Sequence, residues 1–116
     1  MPTYEDLCEV CEDVSLPYAR VQFDPRDPEG VPSPPFCILM PQYGGAVTGS
    51  NRVIADHRPY DLELYTDGSD MALEARIRDA LKRHGFTYQP ETVPIGGNII
   101  KSVWSVFVTE DTYTTD

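Results

Sequence analysis

Apolar residues recur at the spacing of an amphipathic helix close to the start of the chain. Thr3 can cap this helix, and Glu5 and Asp6 suit the positive end of its dipole. We expect Pro17 to end the helix, because proline cannot continue the ladder of backbone hydrogen bonds. The apolar stripe of this first predicted helix consists of Leu7, Val10, Cys11 and Val14.

The same spacing predicts a second helix in the second half of the chain. Ser69 or Asp70 can cap it, and Gly85 supplies the left-handed residue that ends it. His84, at its end, is expected to meet the negative end of the helix dipole. Its predicted apolar side consists of Leu73, Ile77, Ala80, Leu81 and His84, and its later turns carry the cations Arg76, Arg78, Lys82 and Arg83.

Five further segments predict β-strands, and proline and glycine separate them. Residues 24–35 carry five prolines and predict an extended loop. Residues 90–97 are expected to form a loop as well. The Gly-Ser-Asn sequence at 49–51 marks the turn of a hairpin over residues 46–55. The predicted strands comprise residues 18–23, 36–40, 60–66, a strand that begins at 86–88, and 99–109.

Alternation within two strands predicts which side of each faces the core. In strand 60–66, Leu62 and Leu64 fall on one side while Asp61 and Glu63 fall on the other, which predicts a half-exposed strand with solvated acids. In strand 99–109 both alternating sets contain apolar residues, so both faces are expected to be covered at least partly. The predicted core combines Leu73, Ile77 and Leu81 of the second helix with Ile38, Leu62, Leu64 and Phe107 of the sheet.

The order of these elements predicts one α+β domain. We expect a small antiparallel or mixed sheet with two α-helices packed on one face. The hairpin at 46–55 has too few apolar residues to build a core, so it is expected to project from the domain. The length of 116 residues suits a single domain over residues 1–116. The acidic, threonine-rich residues 110–116 are expected to form a flexible tail.

The net charge excludes several classes of partner. The chain has 9 Lys and Arg against 19 Asp and Glu, for a formal charge of −10. Proteins that track nucleic-acid phosphates or anionic lipids need clustered cations, so neither class is expected here. No apolar run approaches the roughly 20 residues that cross a bilayer. The start of the chain lacks the basic and apolar regions of a signal peptide, so we expect the cytosol of the producing cell.

The candidate chemical groups do not assemble into a recognisable site. Cys8 and Cys11 form a C-x-x-C sequence, but Cys37, His57 and His84 are scattered singly and complete no zinc-ligand pattern. We expect the two helical cysteines to serve as small apolar residues. Phosphate-binding, dinucleotide-binding and hydrolase motifs are missing from the sequence. We therefore expect no catalytic residues, no cofactor and no metal.

Several short segments occur in a distinctive order. They are Leu-Pro-Tyr-Ala at 16–19, Pro-Pro-Phe-Cys-Ile-Leu at 34–39, Tyr-Asp-Leu-Glu-Leu-Tyr-Thr-Asp at 60–67, Gly-Phe-Thr-Tyr at 85–88, Glu-Thr at 91–92 and the apolar strand at 103–108. Together, over residues 7–109, they resemble a family of tail-completion proteins of siphophages and of prophages of Gram-positive bacteria. The Tyr-x-Leu-Glu-Leu-Tyr-Thr strand that leads into a charged helix is the most specific part of the resemblance.

The resemblance implies a tail terminator, a structural protein of the virion without enzymatic activity. Such proteins form a ring, usually a hexamer, that caps the tail tube and joins the head connector. The implied partners are further copies of the chain, the tail tube protein and a head-completion or connector protein. DNA passes through the ring without sequence-specific binding, and no membrane is involved. Assembly takes place in the host cytoplasm, and the acidic charge suits a lumen that repels DNA.

The subunit contacts are expected to involve the hairpin and the cations of the second helix. Neighbours in rings clasp each other by loops and strand addition. The cations should pair with protein acids, because Glu74 and Asp79 interrupt them. The candidate interface residues are Ala46, Val47, Thr48, Arg52, Val53, Ile54, Arg76, Arg78, Lys82 and Arg83.

Two alternative functions stay open at this point. A head-completion or neck adaptor protein on the portal side has a similar small α+β domain. An acidic protein can also mimic DNA and inhibit a DNA-binding protein. Such mimics spread carboxylates along a continuous face, whereas the acids here concentrate at residues 5–13 and 110–116.

Overall fold

A computed structural model describes residues 2–27, 30–42 and 57–109 of the chain. This part contains two helices and five strands, which confirms the predicted α+β class. The predicted hairpin at 46–55 and the tail at 110–116 lie outside the described residues. The elements are α1 (Tyr4–Asp13), β1 (Tyr18–Arg20), β2 (Phe36–Pro41), β3 (His57–Asp67), α2 (Met71–Arg83), β4 (Gln89–Gly96) and β5 (Ile99–Thr109).

The five strands form one mixed sheet in the order β1-β2-β3-β5-β4. β1 runs parallel to β2, and the other neighbours are antiparallel. The longest pairing joins β3 to β5, from His57 opposite Thr109 to Asp67 opposite Ile99. This central pair is the platform on which both helices pack.

The first helix begins where its sequence predicts. The Thr3 backbone N–H donates to Asp6 Oδ2 at 2.8 Å, and the Asp6 N–H donates to Thr3 Oγ1 at 3.2 Å. This reciprocal capping box satisfies backbone donors that a helix start leaves free. The helix ends at Asp13, well before Pro17, and Ser15 then takes a left-handed φ of 61°. The expectation that Pro17 ends the helix is wrong, because the chain already turns at Ser15.

The second helix also begins and ends at its predicted signals. The Leu73 N–H donates to Asp70 Oδ1 at 3.1 Å, so Asp70 is the cap. Gly85 has a φ of 87°, a conformation that strains any residue with a Cβ atom. The Phe86 N–H then donates to the Leu81 carbonyl, which closes the helix end. Local capping chemistry therefore fixes both ends of α2.

The core lies between the two helices and one face of the sheet. Trp104 and Leu62 face each other across β3 and β5 at its centre. The expected burial of Leu73, Ile77, Leu81, Leu62 and Leu64 is confirmed. The sheet contributes Cys37, Leu39, Tyr60, Leu62, Leu64, Trp104, Val106 and Val108, and the helices contribute Leu7, Val10, Cys11, Leu73, Ile77, Ala80 and Leu81.

Two of the predicted core residues belong to the other face of the sheet. Ile38 pairs with Glu63, and it is buried outside the core cluster. Phe107 is 58% exposed. Successive residues of a strand point to opposite faces, so the burial of Trp104 in β5 sends Phe107 outward. Ile38 is buried as predicted, although on the face turned away from the helices, whereas the prediction that Phe107 belongs to the core is wrong.

The segment predicted as a loop at 90–97 is an edge strand. β4 spans Gln89–Gly96 and pairs only with β5. The strand expected to begin at 86–88 therefore starts later. Pro90 and Pro94 are four residues apart and lie on the same side of the strand backbone. An edge strand uses one side for pairing, so it tolerates proline on the other.

The first strand is shorter than predicted. β1 covers only Tyr18–Arg20 of the expected 18–23. Val21 takes a left-handed φ of 73°, and its N–H donates to the Leu39 carbonyl at 3.1 Å. This turn directs the chain into the proline-rich loop. No helix in the described ranges is both long and apolar enough to cross a bilayer.

The packing of α2 can be tested with Leu81→Ala. Leu81 is fully buried, so the substitution should lower the free energy of unfolding by about 2–5 kcal/mol. Met71→Ala in the same helix is the matched control, since Met71 is 75% exposed. Denaturant unfolding measures both values. A loss below about 0.5 kcal/mol for Leu81→Ala contradicts the packing of this helix on the sheet.

Candidate assembly surfaces

The sheet has a second face, turned away from the helices, which we call the outer face. Pairing across the strands aligns two rows on it. The first row runs through Ile38, Glu63, Val103 and Glu91, and the second through Met40, Asp61, Ser105 and Gln89. The outer face therefore mixes apolar side chains with carboxylates, whereas the inner face is predominantly apolar.

Among the described residues, Glu63 is the one carboxylate that is buried on this face. It is only 7% exposed, and it accepts a hydrogen bond from the Tyr65 hydroxyl at 2.9 Å. Lys101 Nζ lies 3.9 Å from its other oxygen. Burial and the hydrogen bond to Glu63 raise the pKa of Tyr65 to about 12. The predicted solvated position of Glu63 is wrong, because Tyr65 of the same strand and Lys101 of the neighbouring strand contact it.

Asp61 lies at the edge of a shallow depression on the outer face. Gln42 Nε2 donates to its Oδ2 at 2.6 Å, and Ser105 Oγ donates to its Oδ1 at 2.7 Å. The depression has a volume of about 400 Å³, and the exposed Phe107 ring is one of its walls. An aromatic ring beside a held carboxylate suits a Lys or Arg side chain, whose apolar stem packs while its charge pairs.

The four cations predicted for the interface divide into two pairs. Arg83 Nη2 lies 3.2 Å from Asp13 Oδ2, and Arg76 Nη2 donates to the Val14 carbonyl at 3.3 Å. Both bind the end of α1 and hold the two helices together. Arg78 follows Arg76 by two residues, which is a rotation of about 200° around the helix axis, so the two side chains lie on different sides of α2. Among the described residues, neither Arg78 nor Lys82 has an ion pair.

The remaining candidate interface residues lie on the predicted hairpin. Ala46, Val47, Thr48, Arg52, Val53 and Ile54 are all outside the described residues. Among the described residues, the remaining candidates for an interface are the outer face of the sheet and the cations Arg78 and Lys82 of α2.

His84 does more than end its helix. It is the C-cap residue of α2, so it lies at the end of the helix as the sequence predicts. Its side chain instead contacts α1, with Nε2 2.8 Å from Asp13 Oδ2 and Nδ1 3.7 Å from Glu9 Oε1. Hydrogen bonds from His84 and Arg83 lower the pKa of the Asp13 carboxyl. Sequence reasoning missed this cluster; the helical spacing of Asp6, Glu9 and Asp13 was the available signal.

The cysteines occupy the positions expected of small apolar residues. Cys8 and Cys11 lie in α1, where Cys11 is fully buried and Cys8 half-buried. The Cys11 thiol contacts the buried thiol of Cys37, and this contact together with burial raises the pKa of Cys11. A raised pKa keeps the thiol protonated and unreactive.

Comparison with known proteins gives no family for this chain. No family model matches it, and no curated protein sequence matches it significantly.

The exposure of Phe107 predicts a contrast with Trp104. Trp104→Ala removes a buried side chain and should lower the free energy of unfolding by about 3–5 kcal/mol. Phe107→Ala on the same strand should lower it by less than about 1 kcal/mol. Denaturant unfolding of dilute protein measures both values. A loss of more than about 2 kcal/mol for Phe107→Ala contradicts its place on an exposed surface.

Proposed function

We propose that the protein is a tail terminator, a structural protein that forms a ring, caps the phage tail tube and joins it to the head connector. One structural observation supports this proposal in addition to the sequence resemblance. The two sides of the domain carry complementary groups: Phe107 and Asp61 on the outer face, and the unpaired Arg78 and Lys82 on α2.

Complementary groups on opposite sides favour a head-to-tail contact between copies. Such a contact repeats from subunit to subunit and closes into a ring when the rotation between neighbours divides the full circle. In this arrangement α2 of one subunit lies against the outer face of the next. Lys82 or Arg78 then packs its apolar stem on the Phe107 ring and pairs its charge with Asp61.

The distribution of acids fits a ring through which DNA passes. The net charge of the chain is −10, and the exposed α1 side chains Glu5, Glu9 and Glu12 are part of it. A lumen with this charge repels the duplex. A DNA mimic fits the surface less well, because Asp13 is bound by Arg83 and His84 and the acidic face of α1 is interrupted there.

Self-association tests the proposal directly. Sedimentation velocity and negative-stain imaging of the purified chain should give rings of uniform subunits. Phe107→Ser and Lys82→Glu should each abolish the rings, because each removes one side of the contact. Ile95→Ser and Arg26→Glu are the matched controls, since Ile95 is 51% exposed on β4 and Arg26 is exposed in the proline-rich loop. Rings that survive both test variants contradict the contact.

A charge exchange identifies the pairing within that contact. Asp61→Lys and Lys82→Glu should each fail to form rings alone, because each places like charges opposite one another. A chain that carries both substitutions should form rings again, since the pair is restored in reversed order. Rescue by the double variant supports the pairing. A double variant that folds as a monomer overturns it.

Salt should promote assembly of the wild-type chain. Each subunit carries −10, so closure brings like charges together. The screening length falls from about 30 Å at 0.01 M salt to about 10 Å at 0.1 M, which relieves this repulsion while apolar contacts persist. Sedimentation velocity across a salt series measures the effect. The contrary result is that rings are present at low salt and dissociate as salt rises. Attractive ion pairs would then dominate the interface, and the expected repulsion between subunits would be wrong.

Binding to phage assemblies separates the terminator from a head-completion protein. A tail terminator should bind the ends of tail tubes and leave the portal of isolated heads unoccupied. Electron microscopy of the mixtures distinguishes the two. Rings seated only on the portal would assign the protein to the head side of the neck.

A further inference from the structure

A histidine and two carboxylates meet where the end of α2 touches α1. Asp6 and Glu9 are three residues apart on α1, so they share one side of the helix. His84, the C-cap residue of α2, approaches that side. One oxygen of each carboxylate and one nitrogen of the imidazole all lie within 4.8 Å of one another. Small side-chain rotations bring such atoms to the spacing of metal ligands.

Asp13 fixes the proton on the imidazole of His84. The Asp13 carboxylate is an acceptor, so the His84 Nε2 at 2.8 Å carries the hydrogen. In the neutral imidazole the lone pair is then on Nδ1. That atom lies 3.7 Å from Glu9 Oε1, too far for a hydrogen bond, and points towards an acceptor rather than a donor. A lone pair and a carboxylate oxygen facing each other leave room for a cation between them.

The two carboxylates have oxygens available for a cation. Both hydrogen bonds from Thr3 go to Oδ2 of Asp6, and Oδ1 takes no hydrogen bond from the described residues. Among the described residues, the only group that faces Glu9 at ion-pair distance is His84. The capping contact with Thr3 therefore holds Asp6 in place without using its second oxygen.

We propose that Asp6, Glu9 and His84 form a binding site for a divalent transition metal of the zinc class. One imidazole nitrogen with two carboxylate oxygens suits zinc, while magnesium and calcium prefer oxygen ligands alone. Asp13 is the outer carboxylate that orients the imidazole, an arrangement typical of histidine ligands. The bound ion would link α1 to the end of α2. This site is independent of the proposed ring contact, which lies on other surfaces.

Titration with Zn²⁺ tests the site in the full chain. Calorimetry should show saturable binding of one Zn²⁺ per chain, and thermal unfolding should shift to higher temperature as Zn²⁺ is added. Glu9→Gln and His84→Gln should each weaken binding at least about tenfold. Glu5→Gln removes the same charge from the same helix, and it should change the affinity less than about twofold. Glu9 is exposed, so Glu9→Gln decides the result if His84→Gln loosens the fold.

Cobalt separates this site from the cysteines and from the other histidine. Co²⁺ bound to the chain should lack the thiolate charge-transfer absorbance that Cys8 or Cys11 would produce. His57→Gln should leave the affinity unchanged. The proposal is overturned if no saturable Zn²⁺ binding occurs up to about 1 mM. A Kd of that size corresponds to only about 4 kcal/mol of binding free energy, so even weak binding would be detected. The proposal is also overturned if Glu9→Gln binds Zn²⁺ as tightly as the wild-type chain, or if Co²⁺ shows thiolate ligation.

Discussion

The burial of one face of the β3–β5 pair determines the rest of the structure. Trp104 and Leu62 lie opposite each other under the two helices. Since strand residues alternate between faces, this burial places Asp61 and Phe107 on the outer face. Two short helices suffice to cover one face of a five-stranded sheet, and the outer face keeps exposed apolar surface next to a carboxylate. That exposed surface is the basis of the proposed assembly.

The helices and strand β5 were predictable from sequence because their signals are local. The capping box of Thr3, the Asp70 cap and the left-handed Gly85 depend on neighbouring residues only. The bounds 99–109 of β5 follow from a continuous run of strand-forming residues, and the structure confirms them. The orientation of that strand did not follow. Both of its alternating sets contain apolar residues, so the packing of Trp104 decides which set is buried.

The sequence-based errors arise where the position of a segment in the sheet decides the outcome. The prolines of β4 predict a loop, but they are tolerated because β4 is an edge strand. The acid Glu63 is buried because Tyr65 and Lys101 cover it. The contacts of His84 with Glu9 and Asp13 join segments that are distant along the chain. Residue spacing alone does not predict such contacts, so the candidate metal site emerges only from the fold.

We propose that the outer face of the sheet is the surface that binds the next subunit. The two helices cover only the inner face, so the Phe107 ring on the outer face stays exposed. A cryo-electron microscopy reconstruction of the assembled particle is the most direct test. In the assembled ring, Phe107 of each subunit should be buried against α2 of its neighbour. A ring in which Phe107 faces the lumen or the outer solvent would contradict it.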